Sequence, residues 1–205
     1  IGIDLIAGPT ETLVIADDSS DVEIIAADLP GQAEHGVNSP AVFLTNSAEL
    51  AETLPAEIER QLAILSTAPV ASVAWRDYGE IILCDTVDEL VQEADRLASE
   101  HVQVMTRDPL YFLEHMTNYG ALFLGQRSNV SYGDNVIGTN HTLPTNGYAR
   151  SYSGVSVSSF QLNISTQRIS QKGLQHIGPC AVTLADCEQL DAHAQSVSIR
   201  LAKLS

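Results

Sequence analysis

Four stretches of the chain gather side chains able to hold a metal ion or to move a proton. In Gln32-Ala-Glu-His35-Gly36 an amide and an imidazole lie three residues apart. On a helix both project from one face and can reach a single ion. The same residues also make an ordinary helix end, with His35 suited to the negative end of the dipole and Gly36 to the cap. Pro30, just upstream, is expected to remove a hydrogen bond and kink that helix. In Ser99-Glu100-His101 a carboxylate precedes an imidazole where a helix gives way to a strand. Such a pair can act as acid and base, because imidazole titrates near neutrality. In parallel sheets ligands gather at the carboxyl ends of strands, and this pair leads into a strand instead. The dipeptide recurs at Glu34-His35 and at Glu114-His115. The last copy falls within an apolar helical pattern, so His115 reads as structural.

The third stretch is Tyr132-Gly133-Asp134 followed by Gly138-Thr-Asn140-His141-Thr-Leu-Pro144-Thr145. Asp134, Asn140 and His141 offer oxygen and nitrogen donors in a glycine-rich loop. Turn chemistry accounts for the same residues, since Asp and Asn bond their own backbone, and spacing does not separate the two readings. The fourth is Glu188-Gln-Leu-Asp-Ala-His193, expected on the last helix. Five residues apart, Glu188 and His193 splay and do not form a chelating pair of the HExxH kind. A solvated helix face explains them equally simply. Taken singly, these stretches lead to an α/β protein with a candidate mixed His/Asp/Gln metal site, and no further.

The elements that must position them alternate in type. Strands are expected at Thr12–Ala16, Ala41–Thr45, Glu80–Cys84, His101–Met105 and Ala121–Leu124. Helices are expected at Val22–Ala33, Ser47–Leu65, Val87–Ala98 and Leu110–Met116, the Asp17–Asp21 cluster marking the start of the first. Alternation of this kind implies a Rossmann-like, mostly parallel sheet with helices on both faces. From Ser131 to Gly154 apolar periodicity disappears and Gly, Asn, Thr, Ser and Tyr dominate. A loop this long within a compact domain is functional or disordered. Helices near Ser165–Ile177 and Ala181–Ala202 follow. The expected division is an α/β region over residues 1–155 and a helical tail over residues 156–205 that needs a partner surface.

Bulk properties exclude several classes. The 205 residues include 26 acidic and 10 basic side chains, a formal charge of −16. That balance opposes nucleic-acid binding, which needs clustered Lys and Arg, and docking on anionic membranes. Cys84, Cys180 and Cys187 form an odd set without metal-knuckle spacing, as expected of reduced cytoplasmic thiols. No apolar run approaches the ~20 residues of a bilayer span. The chain opens at Ile1 directly into an apolar run, which reads as a piece of a longer polypeptide.

Together and in order, the motifs resemble the histidinol dehydrogenase family. The matching stretches are Ala7-Gly-Pro-Thr-Glu11, Gln32-Ala-Glu-His-Gly36, Glu100-His101, Gly138-Thr-Asn-His-Thr-Leu-Pro144, Gly147-Tyr-Ala-Arg150 with Tyr152-Ser-Gly154, and Leu190-Asp-Ala-His193. The resemblance implies a zinc- and NAD-dependent homodimer that oxidises an amino alcohol to an amino acid in two steps through the aldehyde, in histidine biosynthesis. Carried over by motif, it implies Gln32, His35, Asp134 and His193 as zinc ligands, the last from the neighbouring subunit. It makes Glu100 and His101 the proton acceptors, and Thr10, His141 and Glu188 further substrate contacts. The family's glycine-rich nucleotide-contacting segment would lie upstream of Ile1, so no NAD-binding residue is assigned within this chain. Glu100-His-Val-Gln-Val-Met105 and Met116-Thr-Asn-Tyr-Gly-Ala-Leu-Phe-Leu-Gly125 look closer to a sister branch oxidising sulfopropanediol-type alcohols. Two non-dehydrogenase readings stand beside these: a truncated dimerising module without catalysis, and a metal-dependent hydrolase using the same ligands.

Overall fold

The computed structural model describes residues 8–203; the apolar opening at Ile1–Ile6 lies outside them. Five strands form one parallel sheet in the order β3-β2-β1-β4-β5. They are β1 (Thr12–Ala16), β2 (Ala41–Thr45), β3 (Gly79–Leu83), β4 (His101–Val104) and β5 (Ala121–Leu124). All three central strands, β1, β2 and β4, are buried along their whole length. This is why β1 and β2 read as apolar runs without alternation, whereas β4 alternates, with His101 and Gln103 as buried polar residues on one face.

Period-two geometry divides each strand between two cores. Val14, Ala16 and Phe43 pack with Ile25 and Leu29 of α1 (Val22–Ala33), Leu54 and Ile58 of α2 (Ala48–Leu62), and Ala71 and Ala74 of α3 (Ala68–Tyr78). Leu13, Ile15, Leu44, Val102 and Val104 face the other way, against Leu90 and Ala94 of α4 (Val87–Leu97) and Phe112 of α5 (Pro109–His115). The Rossmann-like layering expected from the alternation is present. Local signals set the helix starts. Ser47 accepts from Leu50 N, and Thr86 and Glu89 close a reciprocal capping box on α4.

The structure departs from the sequence reading in three places. Helix α3 was not expected. Thr67 makes no side-chain cap hydrogen bond, and the helix buries only the small residues Ala71 and Ala74, so its periodic signal is faint. Pro30 lies inside α1 without ending it: the Glu34 N–H still bonds the Pro30 carbonyl at 2.9 Å. One lost donor is tolerated there because Ile25, Ala26, Leu29 and Ala33 hold the helix on the sheet.

The tail differs most. The chain separates into two compact units between Phe160 and Gln161. In the second unit, α7 (Gln171–Cys187) runs straight through Pro179, where a break was expected. The break falls instead at Glu188–Leu190, with Gln189 in the left-handed region at φ 59°. Glu188 therefore caps α7 while His193 lies in the first turn of α8 (Asp191–Ala202), so the two do not share a helix. Helices α7 and α8 approach closely enough that a Cβ on Gly178 would meet Leu201 Cδ2 at 2.9 Å. Among the described residues no helix is long and apolar enough to cross a membrane.

Candidate active site

Strand register builds the site. Thr12 is the neighbour of His101 across the β1–β4 pairing. Residues 10–11 and 99–100 therefore meet at the amino ends of these strands, away from the carboxyl ends where such sheets usually bind ligands. Helix α1 runs back along the sheet from the end of β1, so Gln32 in its last turn arrives at the same end. His35, expected on the same helix, lies instead in the turn beyond the Glu34 cap, where its N–H bonds the Gln32 carbonyl at 3.2 Å.

A continuous hydrogen-bond chain results. Gln32 Nε2 donates to Thr10 Oγ1, and Thr10 Oγ1 donates to Glu100 Oε2 at 2.6 Å. The same oxygen accepts from Glu11 N at 3.2 Å and lies 3.4 Å from His101 Nδ1. His101 Nδ1 is also 3.2 Å from the Glu11 carbonyl oxygen. A carbonyl only accepts, so Nδ1 carries a proton, and neutral His101 has its lone pair on Nε2. That Nε2 is buried and has no partner among the described residues. A buried imidazole nitrogen with a free lone pair, on a ring whose other nitrogen faces a carboxylate, is able to accept a proton.

Electrostatics acts in the same sense. Burial pushes the His101 pKa down, but the hydrogen bond and charge of Glu100, the Glu11 carbonyl and the charge of Asp134 outweigh it, leaving the group above the usual imidazole value of 6.5. Burial likewise raises the Glu11 carboxyl, against hydrogen bonds from the Glu100, Asn146 and Gly147 backbones. These bonds pin the 145–147 loop to β1. Thr145 Oγ1 and Asn146 Nδ2 reinforce the pin by donating to the Gly8 carbonyl at 3.2 and 2.9 Å.

Beside this network is an open cleft of about 320 Å³ whose lining includes Asp28, Gln32, His35, Gln103, Asn129 and Asp134. Asp134 comes from the π-helical turn Gly133–Ile137, which follows α6 (Val130–Tyr132). Three of the four residues assigned to a metal by resemblance thus share one cleft. An amide from the end of a helix, an imidazole from the turn after it and a carboxylate opposite suit zinc. Among the described residues no group of three or more His, Cys, Asp or Glu comes together, so the set depends on the Gln32 amide and on a further donor. His141 is exposed on its loop, and Glu188 and His193 are exposed in the second unit. Residues that sequence reasoning passed over are Asp28, Asn129 and Gln103. Asp28 stands one turn before Gln32, and Gln103 is the single polar residue in the Val102–Val104 run, both signals legible in retrospect.

Gly120 controls the spacing of this site from behind. A Cβ there would sit 2.5 Å from the Glu100 carbonyl oxygen, whose neighbour across the strand gap is Ala121 N. Gly120→Ala is expected to cost about 1–3 kcal/mol of stability, as overpacking does, and to lower turnover by shifting Glu100. Urea denaturation alongside steady-state rates checks both.

A doubly wound parallel sheet with a buried carboxylate–imidazole pair next to a cleft lined by nitrogen and oxygen donors defines an α/β protein with groups able to exchange protons at the amino ends of its strands. A sequence model of the histidinol dehydrogenase family matches residues 1–201. The chain belongs to that oxidoreductase family. It is 60% identical over 204 residues to histidinol dehydrogenase homolog 1 of Mesorhizobium japonicum, covering 99% of this chain and 41% of that protein. It is 42% identical over 205 residues to the sulfopropanediol 3-dehydrogenase of Ruegeria pomeroyi, covering 99% of this chain and 47% of the relative. The crystal structure of histidinol dehydrogenase from Elizabethkingia anophelis matches with a TM-score of 0.91 at 41% identity, over 100% of this chain and 47% of that one. The chain spans a little under half the length of these relatives.

Proposed function

We propose that this chain supplies the metal-holding and proton-transferring part of a zinc-dependent, NAD-linked dehydrogenase that oxidises an amino alcohol, L-histidinol, to the amino acid through the aldehyde. The observation that carries this reading is the Gln32–Thr10–Glu100–His101 hydrogen-bond chain, which joins a buried imidazole base to a donor-lined cleft. Gln32, His35 and Asp134 hold the zinc, with His193 of a second copy completing the set in a cytoplasmic homodimer. Zinc, when bound, supplies a positive centre that holds and acidifies the alcohol oxygen, and NAD takes up hydride. His101 accepts the alcohol proton at Nε2, and Glu100 stabilises the imidazolium that forms. In the second step the regenerated pair takes a proton from the water that adds to the aldehyde. Thr10, His141 and Glu188 contact the substrate.

The charge of the cleft supports an amino substrate. Asp28, Glu34 and Asp134 line it, and among the described residues no Lys or Arg does, so an ammonium or imidazole group is favoured over a sulfonate. A second reading, oxidation of a sulfopropanediol-type alcohol, is favoured by the Ruegeria pomeroyi relative. Reduction of NAD by the full-length protein with each alcohol tests the two. Histidinol turnover supports the first reading, and turnover of the sulfonated diol alone replaces it with the second. No turnover of either, in zinc-loaded protein, leaves the non-catalytic module.

The pH dependence follows from His101. The base works when neutral, so kcat/KM is expected to rise with pH through an inflection above 6.5. Glu100→Gln removes the partner that raises the imidazole, and the inflection then moves to lower pH. The stability sign is opposite: a histidine raised in the folded state stabilises at low pH, and that contribution fades as pH climbs through the raised value. Rate profiles and melting curves from pH 5 to 9 read both effects.

A further inference from the structure

We propose that Gln103 is a positioning residue whose amide fixes the two walls of the cleft at the separation the metal requires. This rests on the metal-holding reading of Gln32, His35 and Asp134. Gln103 is 1% exposed and stands two residues beyond His101 on β4, so both side chains leave the same face of the strand. Its register partner on β1 is Val14, which packs in the core containing α1.

The two ends of the Gln103 amide go to different walls. Nε2 donates to Asp28 Oδ2 at 3.0 Å, and Oε1 accepts from Val130 N at 3.1 Å. Asp28 lies four residues before Gln32 on one face of α1, and His35 follows in the turn just beyond the helix end. Val130 opens the short helix that runs into the turn bearing Asp134. One buried side chain thus ties the wall that carries Gln32 and His35 to the wall that carries Asp134, through the strand that carries His101. Burial raises the Asp28 carboxyl, and the amides of Gln103 and Asn129 beside it act against that shift. A hydrophobic residue at position 103 would fill the same space but leave Asp28 and the Val130 N–H without these bonds. Partners of this kind, one step removed from a metal, change its affinity by about 10- to 100-fold.

The arrangement can be inverted chemically, and that provides the test. In Gln103→Glu, position 103 still accepts from Val130 N but presents an acceptor to the Asp28 carboxylate. In the double variant Asp28→Asn/Gln103→Glu, the donor and acceptor exchange places and the link is restored. Zinc affinity by chelator competition and amide hydrogen exchange over residues 28–35 and 129–137 are measured in the full-length protein. Expected are a loss of about 10- to 100-fold in zinc affinity for Gln103→Glu, faster exchange in both segments, and recovery of both to within about threefold in the double variant. Unchanged exchange in Gln103→Glu, or no recovery in the double variant, overturns the proposal. Wild-type protein that binds no zinc sinks the metal reading, while the exchange data still decide whether Gln103 braces the two walls.

Discussion

His101→Asn lowers kcat by about 1000-fold, within the range that a positioned base contributes, while the folded structure and the zinc content persist. The expectation rests on three features of the imidazole. It is buried, its Nδ1 is committed to the Glu11 carbonyl and Glu100, and its Nε2 has no partner among the described residues. An asparagine keeps a polar group in the strand yet cannot take up a proton near neutral pH. Because the loss falls on proton transfer, it appears in kcat far more than in KM. The variant also loses the inflection of the pH profile, which a merely structural histidine would leave in place. Wild-type rates in His101→Asn, measured with zinc-loaded protein, would remove His101 from the chemistry.

The second large effect is on metal binding. His35→Ala is expected to weaken zinc by more than the roughly 100-fold that altering a neighbouring hydrogen-bond partner costs, because it deletes a donor outright. The side chain is exposed at the end of α1 and contributes nothing to either core. The melting temperature of the metal-free protein should therefore stay within a degree or two, as for other surface substitutions. His115→Ala is the matched control: that imidazole stacks on Tyr111 at 4.0 Å and its Nδ1 bonds the Tyr111 carbonyl. Inductively coupled plasma analysis after exhaustive dialysis should find zinc in the control and little in His35→Ala. Equal zinc in both would displace His35 from the ligand set.

Both predictions join residues that are far apart along the chain. Gln32 and His35 are three residues apart, at the end of α1 and in the turn after it, and Glu100 and His101 are adjacent, so each pair was visible in the sequence. Thr10 and Glu100 are 90 residues apart, and nothing in their local patterns links them. Spacing likewise left Asp134 open between ligand and turn former, since Asp in a glycine-rich loop serves either purpose. The structure places it in one cleft with Gln32 and His35. The helices show the same division. Apolar spacing announced α2 and α4, whereas α3 buries two alanines and carries no capping side chain. The sequence left a gap between Ile177 and Ala181, but α7 continues through Pro179 there, with Leu201 of α8 packed close to Gly178.

What the sequence by itself determined, then, was the alternation of apolar strands and amphipathic helices, the family motifs, and the residue types available for chemistry. These properties live within windows of ten or twenty residues, where hydrophobic period, capping and turn chemistry act. The tertiary structure alone decided which of those residues meet. The parallel pairing of β1 with β4 set Thr10, Glu11, Glu100 and His101 side by side. The return of α1 brought Gln32 to the same end of the sheet, and Gln103 was turned from one polar residue in an apolar strand into the link between two walls. Long-range strand register is fixed by burial of both sheet faces together, and no local stretch of sequence contains that sum.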